Sequence, residues 1–142
     1  MSGGAGKNAS EGGIPPELET RVAASETRIT KAIFPFNTNH HDTLFGGDAL
    51  SWMDETAFIA ATRFARKSLV TVSTDRIDFR AAIPGGSLVE FVARVSHVGR
   101  TSVRVQVDAW LESMYREGRE HAISGCFTMV AVDADKRPIP VL

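Results

Sequence analysis

Alternating apolar and polar positions divide most of the chain into five predicted β-strands and one long helix. The clearest strand covers residues 101–111, in which every second residue from Val103 to Leu111 is apolar. The other predicted strands cover residues 28–34, 69–83, 88–98 and 121–132. Because turn residues such as Pro84-Gly85-Gly86 separate the later strands, we expect them to run antiparallel.

The predicted helix covers residues 47–67, between the first and second strands. At 100° per residue, most apolar side chains from Leu50 to Phe64 fall on one side of it. Trp52 and Ile59 point elsewhere, which suggests a second packing partner. The order of one strand, one helix and four strands predicts an α+β domain in which a five-stranded antiparallel sheet wraps around the helix.

The first 27 residues are expected to be a disordered or loosely docked tail, and residues 28–142 the folded domain. Residues 1–13 are rich in Gly, Ser and Ala, and Pro15-Pro16 follows. Residues 17–26 form a helix only weakly, because few apolar residues share one side.

Composition excludes several classes of function. The 142 residues hold 16 Lys plus Arg and 17 Asp plus Glu, so the basic excess typical of nucleic-acid binders is missing. No apolar run reaches the roughly 18 residues that a membrane span needs, and no secretory leader is expected. The single cysteine, Cys126, excludes an intramolecular disulfide and a cysteine-rich zinc site. We therefore expect a cytoplasmic protein with a reduced thiol.

Asp54 is the most informative residue, because it interrupts the apolar side of the predicted helix. Leu50, Ala57, Phe58 and Ala61 flank it at helical spacing. Burying an unpartnered carboxylate costs several kcal/mol, so Asp54 is either bonded to a neighbouring group or placed for chemistry.

A polar loop, Asn37 to Phe45, leads into Gly46-Gly47 at the start of the helix. The unpaired N–H groups of a first helical turn carry the positive end of the helix dipole and polarise a carbonyl. The simpler interpretation of the glycine pair is a tight turn.

Gly46 and Asp54 are eight residues apart, which is roughly 12 Å along one helix. One acyl carbonyl cannot easily reach both. Two antiparallel helices from two chains would bring the N-terminus of one helix to the middle of the other. We therefore hypothesise a site shared between two chains.

These residues resemble the acyl-CoA thioesterases of the hotdog fold, in particular the bacterial YciA-type enzymes and the cytosolic acyl-CoA hydrolases. The resemblance rests on the following segments: Asn37-Thr38-Asn39, Phe45-Gly46-Gly47, Met53-Asp54, Val70-Thr71-Val72, Ile77-Asp78-Phe79, Val98 to Ser102 and Phe127 to Asp133. It covers residues 28–140 and implies a hotdog fold, hydrolysis of an acyl-CoA thioester, and a site between two subunits.

The resemblance also implies a catalytic role for four residues. Asp54 would be a general base or a nucleophile, alternatives that remain open. Asn39 would orient water or the thioester. Gly46 and Gly47 would bind the thioester carbonyl.

The substrate side is implied in the same way. Gly99, Arg100, Thr101 and Ser102 would lie near bound CoA, with Arg100 near a phosphate. Val72 and Phe79 would contact the substrate, and Lys136 and Arg137 are weaker candidates for a CoA phosphate. CoA would enter as part of the substrate, with no cofactor and no metal, and the homodimer would assemble as a trimer of dimers.

Two other functions stay open at this point: a non-catalytic acyl-CoA-binding protein, and a hotdog dehydratase that uses His41 with Asp54. His40-His41-Asp42 stands where close relatives of the family carry small residues. The vicinal histidines lack the spaced partners of a zinc site. A nucleophilic Cys126 is disfavoured, because strand cysteines are usually inert.

Overall fold

The structure, a computed structural model, describes residues 13–142, so the part of the predicted tail before residue 13 lies outside the described residues. The helices are α1 (Glu19–Ser25) and α2 (Gly46–Ala65). The strands are β1 (Thr27–Ala32), β2 (Leu69–Phe79), β3 (Ser87–Val98), β4 (Ser102–Ser113) and β5 (Arg119–Ala131). Short 3-10 turns occupy Pro16–Leu18 and Pro35–Asn37.

All five strands form one antiparallel sheet in the order β1-β3-β4-β5-β2, which confirms the predicted α+β architecture. Tight connections join β3 to β4 and β4 to β5. The charged segment after residue 111 pairs further than its composition predicts, because Glu112 lies opposite Arg119 in the ladder. Only residues 114–118 remain as the loop of that hairpin.

The hydrophobic core lies between α2 and the concave face of the sheet. Inward residues of β4, from Val103 to Ala109, are fully buried at every second position, as the alternation predicts. On α2 the buried side chains include Met53 and Phe64, but most are alanines. Small side chains let the helix approach the sheet closely, so α2 packs mainly across β3 and β4.

Helix α1 packs against α2 although its apolar side is short. Val22 is fully buried, and the Arg21 Nε donates to the Phe64 carbonyl oxygen at 2.8 Å. Val22 and Arg21 therefore both anchor this short helix to α2 and the core. Packed structure begins upstream of residue 28, while the division of the chain into tail and domain stays a prediction.

Trp52, which points away from the main apolar stripe, finds its packing partner within the same chain. Its ring meets Phe91 of β3 edge to face at 5.9 Å, and the Lys31 ammonium lies 5.2 Å from its centroid. A second chain is therefore not needed to explain Trp52. Ile59 is partly buried.

Strand β2 is the exposed edge of the sheet. It pairs with β5 on one side only, and Leu69 is its single buried residue. Among the described residues, no helix combines the length and apolar character needed to cross a membrane.

Candidate functional site

The Asp54 carboxylate is bonded and partly accessible. It lies in the middle of α2, partly buried, and its Oδ1 accepts a hydrogen bond of 2.8 Å from the Thr71 hydroxyl of β2. The bond fixes one carboxylate oxygen, while Oδ2 has no recorded partner among residues 13–142. The expected neighbour of Asp54 therefore exists, and the free oxygen remains able to act on a substrate.

A β-bulge follows Thr71 directly in strand β2. Thr71 lies opposite Met129 and Ser73 lies opposite Thr128, so Val72 is an extra residue in the ladder. Bulges re-aim side chains and are common beside active sites. Val72 itself is 55% exposed, which leaves it free to contact a ligand.

Asn39 organises the loop before α2 through its side-chain oxygen. The Oδ1 accepts hydrogen bonds from the His41 amide at 2.8 Å, the Thr43 amide at 3.3 Å and the Thr43 hydroxyl at 3.2 Å. Its Nδ2 has no recorded partner in the described part of the chain. The two N–H donors of this amide are thus available at the edge of the loop.

The N-terminus of α2 is open. Phe45 precedes the helix and supplies no side-chain cap, so no capping group is recorded for the Gly46 and Gly47 N–H groups within residues 13–142. The Phe79 ring, 55% exposed, packs at this end, with its Cζ 3.6 Å from where a Cβ of Gly46 would lie. Asp48 in the first turn accepts a long 3.5 Å bond from Asn37 Nδ2.

One chain therefore carries two separate groups of candidate residues. Asn39, Gly46, Gly47 and Phe79 lie at the N-terminus of α2. Asp54 lies with Thr71, eight residues further along the same helix, which corresponds to roughly 12 Å. Phe79 and Thr71 are likewise at opposite ends of β2.

The turn between β3 and β4 lies at the Thr71 end of the sheet. Ser102 pairs with Val130, and Val130 pairs with Val70 on the other side of β5. Two strand spacings amount to about 10 Å. A Cβ on Gly99 would lie 2.8 Å from the Ser102 Oγ, so a side chain here would require the Ser102 hydroxyl to move.

The final segment of the chain supports this turn. Val141 is fully buried and its amide donates to the Arg100 carbonyl at 2.9 Å, while the Ala131 amide donates to the Thr101 carbonyl at 2.9 Å. The Arg100 side chain is exposed, with no ion pair recorded among the described residues. Lys136 and Arg137 belong to the turn that follows Ala131 and are exposed.

The side chains of the other candidates of the sequence take no part in these groups. His40 and His41 are exposed, with ring centroids 3.8 Å apart. Cys126 sits on β5 away from α2, and burial raises the pKa of its thiol. A raised pKa disfavours the nucleophilic thiolate. Within residues 13–142, no cluster of three or more His, Cys, Asp or Glu could hold a metal ion.

A sheet wrapped around one helix, with an accessible carboxylate in mid-helix and an uncapped glycine N-terminus, defines a hotdog-type enzyme domain. The sequence profile of the thioesterase superfamily matches residues 41–117. A Zymomonas mobilis protein named as an uncharacterized acyl-CoA thioester hydrolase is 37% identical over 87% of this chain and 83% of its own length. The chain therefore belongs to the thioesterase superfamily.

Solved structures of similar proteins agree. An acyl-CoA hydrolase from Staphylococcus aureus, described in complex with butyryl coenzyme A, has a TM-score of 0.80 and 34% identity, covering 84% of this chain and 73% of that chain. A structure described as an apo-hexameric acyl-CoA thioesterase has a TM-score of 0.81 and 36% identity, covering 84% of this chain and 76% of that one.

Alanine variants of the Staphylococcus aureus enzyme have also been solved. They replace an asparagine, an aspartate 15 residues later and a threonine 17 residues after that. Asn39, Asp54 and Thr71 have the same two spacings in this chain. Thr71 is the residue that the sequence pattern alone does not single out. Its only signal is a polar side chain between two valines.

Proposed function

We propose that this protein hydrolyses acyl-CoA thioesters to free CoA and a carboxylic acid, with Asp54 as the general base. The observation that carries the proposal is the Asp54 carboxylate, held at one oxygen by Thr71 and open at the other. A protein that only bound acyl-CoA would have no need of a partly accessible carboxylate positioned in this way. CoA enters as part of the substrate.

The proposed mechanism uses the polar groups that have no recorded hydrogen-bond partner among the described residues. The Gly46 and Gly47 N–H groups polarise the thioester carbonyl, and the Asn39 Nδ2 helps to orient the water or the thioester. The Asp54 Oδ2 takes a proton from the water as its oxygen attacks the carbonyl carbon. The tetrahedral intermediate then collapses, the C–S bond breaks, and the CoA sulfur leaves with the proton.

Direct attack by Asp54 on the thioester is the alternative chemistry. It would form an acyl–aspartyl anhydride that water then hydrolyses. In a single turnover in oxygen-18 water, a general base never labels Asp54, whereas water attack on the aspartyl carbonyl of the anhydride does. Label in the Asp54 carboxylate would show nucleophilic attack instead.

The working unit in this proposal is a homodimer whose sites are shared. The roughly 12 Å between Gly46 and Asp54 keeps them from acting on one carbonyl within one chain. Strand β2 is a long, exposed edge that carries Val70, Val72 and Phe79, the kind of edge that a second copy covers. A trimer of such dimers is the assembly we propose, in line with the hexameric relative.

CoA would extend from the shared site toward the Gly99–Ser102 turn. Arg100 is exposed there and free to meet a phosphate, with Lys136 and Arg137 in the next turn as further cations. The Thr101 and Ser102 hydroxyl groups offer donors beside them. Val72 lies at the same end of β2 and would contact the substrate stem.

Thiol release from a panel of acyl-CoAs by wild type and Asp54→Asn tests this function. Removal of a general base is expected to lower kcat by about 10²- to 10⁴-fold. Asparagine keeps the size of the side chain and still accepts the Thr71 hydrogen bond, so CoA binding serves as the control and should persist. Unchanged turnover by Asp54→Asn would refute the role of Asp54. No thiol release by wild type from any acyl-CoA would favour a binding protein.

A further inference from the structure

Residues 138–142, which we call the closing segment, fold back past the turn that joins β3 to β4. The chain reverses direction after β5, where the Ile139 amide donates to the Ala131 carbonyl oxygen at 2.8 Å. Val141 is fully buried in the hydrophobic core, although the residues on either side of it are exposed. The Val141 side chain therefore anchors an otherwise exposed stretch of chain.

The closing segment holds the backbone of the turn at its middle residue. The Val141 amide donates to the Arg100 carbonyl oxygen at 2.9 Å. Surface turns are usually more mobile than the elements they join, and water can satisfy their carbonyl groups. Here a buried residue makes the hydrogen bond instead, so the Arg100 backbone is fixed while its side chain stays exposed.

Lys67 ties the closing segment to the connection between α2 and β2. Its Nζ donates to the backbone oxygens of Pro140 at 2.7 Å and of Leu142 at 3.2 Å, one on each side of the buried valine. The two elements that this connection joins carry the proposed general base and the threonine that holds it. The closing segment thus links the turn to the elements of the proposed reaction centre.

The position of Arg100 matters because the proposed function gives its exposed guanidinium a CoA phosphate to bind. A turn that is already ordered loses little freedom on binding, whereas a mobile turn loses affinity when it is ordered. Ordering the backbone of one residue corresponds to a factor of about 5–30 in an equilibrium constant. The closing segment provides this order before the substrate arrives.

We propose that Val141 and Lys67 are positioning residues that set the affinity for CoA through Arg100. The inference rests on the proposed thioesterase function and adds which parts of the chain hold the CoA contact in place. Val141 acts from the core, and Lys67 is engaged with two backbone oxygens. Because the reacting carbonyl is held elsewhere, loss of either side chain should weaken CoA binding and leave the chemical step unchanged.

Val141→Ala removes part of the buried side chain and loosens the closing segment. The Kd for free CoA, measured by titration calorimetry, and the KM for a hydrolysed acyl-CoA are expected to rise about 5- to 30-fold. The kcat should stay within about twofold of wild type. Lys67→Met removes the two hydrogen bonds but leaves the buried valine in place. It should act in the same direction, and it keeps the inference testable if Val141→Ala does not fold.

Val89→Ala is the matched control for Val141→Ala. Val89 is also fully buried, but it lies near the start of β3, roughly 30 Å along the strand from Val98 at the turn. The two variants should lose similar thermal stability. Only Val141→Ala should raise the Kd for CoA.

A double-mutant cycle with Arg100→Gln shows whether the effect passes through Arg100. Arg100→Gln should itself weaken CoA binding. Adding Val141→Ala or Lys67→Met to Arg100→Gln should then raise the Kd no further, since the contact that they position is gone. A merely structural role would add its full effect in both backgrounds.

Three results separate the possible failures. Wild-type CoA affinity in a folded Val141→Ala or Lys67→Met protein, or a fall in kcat at unchanged Kd, would overturn the positioning role of that residue. An unchanged Kd in Arg100→Gln, or additive effects in the cycle, would show that Arg100 does not carry the effect, while the hydrolase would remain in place. Absence of wild-type hydrolysis of any acyl-CoA would instead refute the proposed function.

Discussion

The Thr71 hydroxyl is the group that holds the Asp54 carboxylate. At the scale of one residue, removing this hydroxyl is the most direct test of how Asp54 is positioned. Thr71→Val keeps the shape of the side chain but removes the donor, so Asp54 loses a charge-assisted hydrogen bond. Because such bonds are worth about 1.5–3 kcal/mol, we expect kcat to fall about 10- to 100-fold. KM should change little, because in this proposal Thr71 acts by positioning Asp54.

Thr71→Ser is the matched control, because it keeps the hydroxyl. It should retain most of the wild-type kcat, and both variants should melt near wild type, since Thr71 is exposed. Steady-state kinetics of wild type, Thr71→Val and Thr71→Ser measures these differences in kcat and KM. Equal kcat values for Thr71→Val and Thr71→Ser would exclude the positioning role.

Some residues of the site can be predicted from the sequence. Others cannot, because their contacts form only in the folded chain. Asp54 stands out because a carboxylate on an apolar stripe breaks a local pattern. Gly46 stands out because it lies at the start of the predicted helix after a polar loop, and Asn39 stands out through the resemblance to a family. Thr71 has no such local signal, because its partner lies 17 residues away and the contact exists only once β2 has packed beside α2.

At the scale of elements, the pairing of β2 with β5 contains two irregularities that the sequence of β2 does not predict. One is the bulge at Val72, and the other lies between Asp75 and Asp78, where Arg76 adopts a left-handed φ of 49°. The second irregularity turns Ile77 inward over Gly125 of β5. A Cβ on Gly125 would overlap the Ile77 Cδ1 and lie 3.3 Å from the Met53 Cε.

Gly125→Ala is therefore expected to destabilise the fold by about 1–3 kcal/mol, as overpacking does. Ile77→Val removes the methyl that would clash. The double variant should lose less free energy of unfolding than the sum of the two single variants. Denaturant unfolding of the four proteins measures this coupling. Additive losses would mean that Gly125 does not make room for Ile77.

The prediction of elements from periodicity succeeds where burial is one-sided. The strand β4 and the helix α2 follow their apolar patterns closely, because each has one face on the core. The inward packing of α1 was not evident, since it depends on Val22 and on one bond from Arg21 to the distant Phe64 carbonyl. The exposure of β2 was also not evident, because valines and a phenylalanine usually indicate burial.

At the scale of the whole molecule, the described chain carries two separate groups of candidate residues, which we propose are the two halves of a site shared between copies. Its exposed edge strand and its uncapped helix N-terminus are costly features for an isolated domain. Both features are explained if a second copy of the chain supplies the missing half of the site. The near-neutral charge of −1 agrees with a protein that binds its substrate through a few local cations rather than a basic surface.

The most direct test mixes two inactive chains. Asp54→Asn removes the base from one half of the site, and Asn39→Asp removes the amide donors from the other half while keeping the oxygen that holds the loop. Each variant alone should be nearly inactive. After co-refolding at equal concentration, half of the dimers are mixed and each has one intact site, so thiol release should recover to about a quarter of the wild-type rate. A mixture no more active than its parts, with mixed dimers verified by mass, would contradict a site shared between two chains.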